Sequence, residues 1–237
     1  MAQAYLVLVD KSQNVLLVRK KYVSAYWRGR KASSWTAVHQ AGRWAFPGGR
    51  IDEKDWASGL PAPESAALRE FCEETGLVLG EIEAPKHVKT VLGPPPPGRP
   101  LGRPQYYGVV EQVSGLDQIV AKINEQVGPT DTLDMAPRGA GVRDWEFDLA
   151  VAVTINEAVQ RFKQQVTSFS SSPVPPRPEW FQNDPLWKLV ENDVKRCPSG
   201  HMSDWYLYIA EQLAPTSESS ADVGSLGSPG SFGSLAS

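Results

Sequence analysis

The sequence predicts a mixed-sheet α/β domain with helices gathered late in the chain. Three observations carry this expectation. Two short apolar runs, 5–9 and 15–18, flank the polar stretch Asp10-Lys11-Ser12-Gln13-Asn14 and read as a β-hairpin. A helical segment at 64–74 is followed by further strand-like runs rather than by more helix. The later helical segments, beyond residue 155, follow the last strand-like run.

In chain order, the opening hairpin leads into a long connection, 20–43, rich in aromatics. At 64–74, Pro63 suits the first turn because an N–H there would have no helical partner. Gly76 suits the stop. Residues 87–92 and 105–113 are expected to be strands. Between them Gly93-Pro94-Pro95-Pro96-Pro97-Gly98-Arg99-Pro100 makes a stiff loop, since proline has no N–H for a ladder. A helix is expected over 116–127, a Gly/Pro/Asp-rich loop over 128–143, and a strand over 145–153. Asn156 is expected to cap a helix running to about 165. Residues 168–178 read as a Ser/Pro linker, and Asp184 and Ser203 as caps of two short helices. Residues 1–213 then form one domain, with a core over about 1–165 and a helical extension over about 179–213. Residues 214–237 are Ser/Gly-rich, too poor in apolar area to offset their ordering entropy, and are expected to be disordered.

The 237 residues are ample for a buried core. A net charge of −3 offers no overall attraction to nucleic acid. The two cysteines, Cys72 and Cys197, lie far apart, and Cys72 sits in the predicted helix, so a reduced, cytoplasmic compartment is expected. The first ten residues have no basic region and read as a strand rather than a signal peptide. No segment approaches the ~20 apolar residues of a membrane span.

On a helical wheel, Glu70, Glu73 and Glu74 fall within about one third of the circumference, with Leu68, Phe71 and Cys72 opposite. Glu70 and Glu74 are a like-charge i,i+4 pair, and Arg69 offsets only Glu73 at that spacing. A plain acidic helix face has this composition too. What singles it out is the Phe46-Pro47-Gly48-Gly49 turn upstream, whose glycines open backbone shapes closed to other residues and expose a carbonyl. Carboxylates with such a carbonyl suit a hard cation such as Mg²⁺.

These residues resemble the Nudix box of the Nudix hydrolases. Its second half is matched by Arg69-Glu70-Phe71-Cys72-Glu73-Glu74-Thr75-Gly76-Leu77, and the lead-in by Gly42, Trp44, Pro47, Gly48 and Gly49. The resemblance implies a Nudix-type α/β/α sandwich with a mixed sheet and extra C-terminal helices. It implies that Glu73 and Glu74 bind Mg²⁺, or Mn²⁺ in its place, that Glu70 binds metal or helps deprotonate water, and that Arg69 orients the glutamates. The Gly49 carbonyl would complete the metal shell. The chain departs from the pattern in one respect. Gly49 should precede the arginine by fourteen positions and precedes it by twenty, so about six residues are inserted within 52–62. Counted back from Arg69, the isolated glutamate of the box falls on Pro61. Asp52 or Glu53 could substitute for it, and Glu64 is less suited.

Residues 11–50 hold nine Lys/Arg and no acid, interleaved with Tyr22, Tyr26, Trp27, Trp35 and His39. Beside a cation site this would draw in a polyphosphate. The arginines expected to meet substrate are Arg19, Arg43, Arg50 and Arg99. A base outside the motif would come from Glu111, Asp131, Asp134, Asp144 or Glu146. His39, His87 and His201 show no metal-ligand spacing. The expected activity is cleavage of a diphosphate linkage in a nucleotide partner: ADP-ribose, an NDP-sugar, a dinucleotide or coenzyme A. Part of a coenzyme A diphosphatase signature is present in Gly42, Phe46, Pro47, Gly48, Gly49, Asp52 and Asp55, but Val38 stands where that subgroup has arginine. The competing reading is a fold of this type that senses a nucleotide without turnover. A nucleic-acid or membrane partner is disfavoured, and a homodimer is left open.

Overall fold

The computed structural model describes residues 2–93, 106–129, 131–196 and 201–214. The Pro-rich loop with Arg99, Cys197 and the Ser/Gly-rich tail beyond residue 214 lie outside the described residues, as does the side chain of Ser203.

Strand β1 (Gln3–Val9) buries five consecutive residues, the mark of a strand covered on both faces. It turns through Asp10, whose carboxylate accepts from the Asn14 N–H at 2.8 Å, into β2 (Asn14–Lys20). There follow β3 (Val23–Trp27), β4 (Arg30–Ala37), β5 (Trp44–Ala45) and β6 (Gly48–Arg50). Next come the short helix α1 (Glu53–Trp56), the motif helix α2 (Ala62–Thr75) and the short α3 (Leu79–Ile82). Strands β7 (Lys86–Leu92) and β8 (Tyr106–Gln112), helix α4 (Leu116–Val127) and strand β9 (Phe147–Thr154) complete the core. Helices α5 (Ile155–Ser171), α6 (Asp184–Arg196) and α7 (His201–Glu211) end it.

The main sheet runs β5-β2-β1-β8-β7, with β6 also pairing β1 and β9 also pairing β2. It is mixed, because β1 and β8 are parallel, from Gln3 opposite Tyr106 to Val9 opposite Gln112, while its other pairs are antiparallel. Helix α2 packs on β1 and β6 and touches α4. Helix α5 packs on β2 and β9 and against α7. These two pairs supply the cover that the doubly buried strands require. Among the described residues no helix is long and apolar enough to cross a membrane.

Four expectations need correction. The connection 20–43 contains the β3–β4 hairpin, which packs against α6 through Val23, Tyr22, Phe181, Trp187 and Val190. Its strand β4 is mostly exposed and polar, so it carries no apolar alternation to read. Helix α5 is capped by Thr154, whose hydroxyl accepts from the Glu157 N–H, rather than by Asn156. That helix also runs on into the expected linker, as far as Ser171. At α6, the Asn183 side chain accepts from the Leu186 N–H, so Asn183 does the capping expected of Asp184. Gly76 does end α2, at φ 75°.

Lys21 follows β2 directly and is only 5% exposed, with its ammonium 3.1 Å from the centre of the Trp145 ring. Burial lowers its pKa to about 8, although Asp148 pulls the other way. A lysine depressed in this way penalises the fold while both states are protonated, and the penalty lifts as pH rises from 8 toward 10.5. Lys21→Met is therefore expected to gain roughly 1–3 kcal/mol at pH 7. Urea melts at pH 7 and 10 check this: the gain should shrink at pH 10, and a gain equal at both would point to packing instead.

Candidate active site

The site is built where the β5–β6 turn meets the face of α2. Gly48, at φ 151°, leans on the first strand so closely that a Cβ would stand 2.3 Å from the Ala4 carbonyl oxygen and 2.6 Å from the Tyr5 Cα. Its N–H donates to Glu74 Oε2 at 2.9 Å. A Cβ on Gly49 would stand 2.6 Å from Glu70 Oε2. Glycine at 48 thus lets the turn seat on β1, where its N–H meets Glu74, and glycine at 49 lets backbone close directly on the Glu70 carboxylate. The two positions should respond differently to alanine. Gly48→Ala meets rigid backbone and is expected to destabilise by about 2–4 kcal/mol. Gly49→Ala meets a side-chain end that can turn aside, so it should fold while displacing the Glu70 carboxylate. Thermal melts beside an activity assay separate the two, and equal losses of stability would contradict this account.

Arg69 is the hub of the carboxylates. It donates from Nη1 to Glu70 Oε1 at 2.7 Å and to Glu73 Oε2 at 3.2 Å. From Nε and Nη2 it makes a two-pronged bond to Asp55, at 3.0 Å on each oxygen, and Nη2 also reaches the Arg50 carbonyl at 2.7 Å. Asp55 is 1% exposed and also accepts from the Asp52 N–H and the Ser65 hydroxyl. Burial alone would raise its carboxyl, but the bonds from Arg69 outweigh that and hold it below its ordinary value. Neither Asp52 nor Glu53 substitutes for the isolated box glutamate at Arg69, since Asp55 holds that guanidinium and Asp52 meets Arg50 at 3.4 Å. Counting forward from Gly49 would have found Asp55, because five residues intervene, as the motif requires. The extra residues therefore lie between Asp55 and Arg69. Glu64 stands apart, 3.7 Å from His87.

A second cluster forms under the turn. Glu74 is not on a solvent-facing surface, as the wheel suggested, but 3% exposed. Lys20 reaches it at 3.9 Å and bonds Glu146 at 2.5 Å. Burial would lower the Lys20 pKa, yet Glu146 and Glu74 more than compensate and hold it above its ordinary value. The ammonium serves the nearer Glu146 first, so burial raises the Glu74 carboxyl well above its usual range despite Lys20. Burial also raises Glu70. Tyr206, from α7, is buried beside Tyr5 with its ring centre 5.2 Å away, and burial pushes its phenol to about 12. Glu74, Glu146 and Lys20 all act electrostatically on that phenol, so the C-terminal helix reaches the site. Nothing in the motif pointed to Tyr206.

The other expected residues divide clearly. Arg19 is held by Asp148 through two bonds, at 2.9 and 3.2 Å. Arg43 turns away, to the carbonyls of Gln165 and Pro173. Arg50 is largely exposed beside Asp52. Of the candidate bases, Glu146 acts on Glu70 and Glu74, and the Asp144 N–H donates to the Glu73 carbonyl at 2.9 Å. Glu111 is bonded by His87 at 2.9 Å. Asp134 acts on Lys21 instead.

The donors gathered here are hard oxygens, the kind that Mg²⁺ accepts. Lys20, Arg69 and Lys54, the last 3.4 Å from Glu73, supply the positive charge among them. As these side chains stand, no group of three His, Cys, Asp or Glu among the described residues is disposed to hold a metal ion. The donor set fits a divalent cation in its chemistry, and the carboxylates would have to turn from their lysine and arginine partners to bind one.

Residues 1–121 match the NUDIX domain family. No curated protein matches the chain. Among solved structures, a Nudix hydrolase from M. smegmatis, RenU, aligns at 19% identity over 75% of this chain and 89% of that chain, with a TM-score of 0.37. A MutT protein from Methanosarcina mazei Go1 aligns at 13% identity over 84% and 96%, with a TM-score of 0.32. A mutT/nudix family protein from Listeria innocua aligns at 19% identity over 67% and 81%, with a TM-score of 0.34. At these scores the structural likeness adds nothing to what the domain match establishes.

Proposed function

The chain belongs to the NUDIX family, and on that premise we propose that it is a Mg²⁺-dependent hydrolase of the diphosphate linkage in a nucleoside diphosphate joined to a second group. The observation that carries this reading is the closure of the Gly48-Gly49 turn on Glu74 and Glu70, with glycine needed at 48 to seat on β1 and at 49 to approach Glu70. A plain acidic helix face has no use for it. Glu73, Glu74 and the Gly49 carbonyl would hold Mg²⁺, or Mn²⁺ in its place. When bound, the metal supplies Lewis acidity at phosphate oxygens and a water of lowered pKa. Glu70, whose affinity for protons is raised by burial, would take the proton of the attacking water. Arg69 keeps Glu70 and Glu73 pointed at one place, and Asp55 holds Arg69. Lys20 lies among the same carboxylates and would meet the anionic substrate.

One observation favours a second reading, a nucleotide sensor without turnover. Lys20 already supplies positive charge between Glu74 and Glu146, where an enzyme would rely on metal. A phosphate-release screen with Mg²⁺ over ADP-ribose, NDP-sugars, dinucleotides and coenzyme A separates the two. Turnover of at least one of them, abolished by a chelator, supports the hydrolase. Binding across the panel with no turnover would replace it by the sensor.

A further inference from the structure

Away from the glutamates lies a cavity of about 750 Å³, between the start of β5, the C-terminal half of α5, the Ser/Pro segment and α6. None of Lys20, Gly48, Gly49, Glu70, Glu73, Glu74 or Glu146 lines it. Its size is that of a small-molecule site. Three arginines from three separate segments line it, Arg43, Arg161 and Arg177, and no Asp or Glu is in its wall. Two indoles stand with them. Arg161 lies 4.5 Å from the centre of the Trp44 ring, and Arg177 lies 5.7 Å from that of Trp187. Gln164 adds an amide at the rim.

Three arginines around one space, two of them ion-paired only with acids outside its wall, leave it electropositive and favour an anion placed between them. Guanidinium is the side chain whose paired N–H groups match phosphate oxygens. Arg161 is bonded to Glu157 at 2.7 Å, and Arg177 to Asp184 at 2.6 Å through Nη1, while its Nε donates to the Phe181 carbonyl at 2.6 Å and holds it in the wall. Both acids are well exposed, and such surface pairs contribute only about 0–1 kcal/mol, so a phosphate can take their place. Arg43 is 6% exposed and fixed by the Gln165 and Pro173 carbonyls, which makes it a rigid wall. Trp187 is buried among Tyr22 and Phe181, whereas Trp44 is only half-buried and suits an aromatic ring beside the phosphate.

We propose that this cavity binds a nucleoside monophosphate, with its phosphate among Arg43, Arg161 and Arg177 and its base against the Trp44 indole. The site is independent of the glutamate cluster. Much of its wall comes from residues 161–187, beyond the part of the chain that matches the family. This gives the Ser/Pro segment a part in the molecule other than linking two helices.

The test is calorimetric titration of the full chain with AMP, adenosine and inorganic phosphate in the presence of EDTA. AMP is expected to bind saturably, and adenosine and phosphate each at least about tenfold more weakly. Arg161→Gln removes one half-buried cation, and Gln164→Glu places a carboxylate at the rim. Each should weaken AMP about tenfold with an unchanged circular dichroism melt. Glu73→Gln should leave AMP binding as it was. The proposal is overturned if AMP does not bind, if phosphate or adenosine binds as tightly, or if both cavity variants retain full affinity. Loss of AMP binding in Glu73→Gln also overturns it. The nucleotide would then sit at the glutamate cluster, and the hydrolase reading would stand.

Discussion

Asp55→Asn is expected to cost about 3–5 kcal/mol in stability and roughly 10–100-fold in turnover. The substitution keeps shape and removes charge. Arg69 would be left with half of its principal partner gone, in a place where its own side chain is 15% exposed. Breaking a buried pair from one side leaves the other charge unmatched, which is why the expected loss is large. The effect on turnover follows from geometry. The same guanidinium fixes Glu70 and Glu73, so freeing it from Asp55 lets both carboxylates wander. The pH dependence has a definite sign. Asp55 is held below its ordinary 3.8, so it contributes stability that is full above that value and lost as pH falls through the lower, folded one. The variant should therefore lose stability at pH 7 and show a flatter acid limb than the parent. Urea melts from pH 2 to 7 read both. Parallel curves displaced by a constant would count against the ion pair.

Glu74→Gln is expected to lower turnover by about 10²–10⁴-fold without lowering metal-free stability. The loss follows from removing an anionic donor from the site. The retained stability follows from burial. A carboxyl held above its ordinary 4.5 is one that the fold prefers neutral. Its cost is absent below that value and grows as pH rises toward the folded one. Glutamine supplies the neutral form at every pH and can still accept the Gly48 N–H. Lys20 keeps Glu146. Melts in EDTA at pH 5 and 8 should show the variant gaining on the parent as pH rises. A variant that is both inactive and unstable at pH 8 would mean that Glu74 holds the fold together as an anion, contrary to this account.

What could be read in advance followed from how locally each feature is encoded. Helix α4 was expected over 116–127, where it lies, because Leu116, Ile119, Ile123 and Val127 repeat at helical spacing and all turn inward. The motif helix was legible from its glycine stop and its glutamate spacing. The burial of Glu74 was not, because a wheel shows which residues share a face but not what lies over it. Here the Gly48 turn covers the acidic side. Arg69 and Asp55 are fourteen residues apart across a helix and a loop, and no periodicity connects them. Tyr206 reaches the site only because α7 folds back on Tyr5, Phe46 and Phe162, a purely tertiary fact. The cavity residues were invisible for the same reason. The Ser/Pro segment reads as a spacer, and only its packing against Trp187 and α5 makes it a wall.

The parallel pairing of β1 with β8 has a cost in time. β1 ends at Val9, yet its partner across that edge ends at Gln112. At about 5–20 residues per second, a growing chain waits on the order of 5–20 s before that partner exists. Over that interval an apolar strand with one open flank is presented to every other nascent copy nearby, and open strand edges are where chains join wrongly. Yield in a producing cell should therefore depend on how crowded and how warm synthesis is, more than on the stability of the finished molecule.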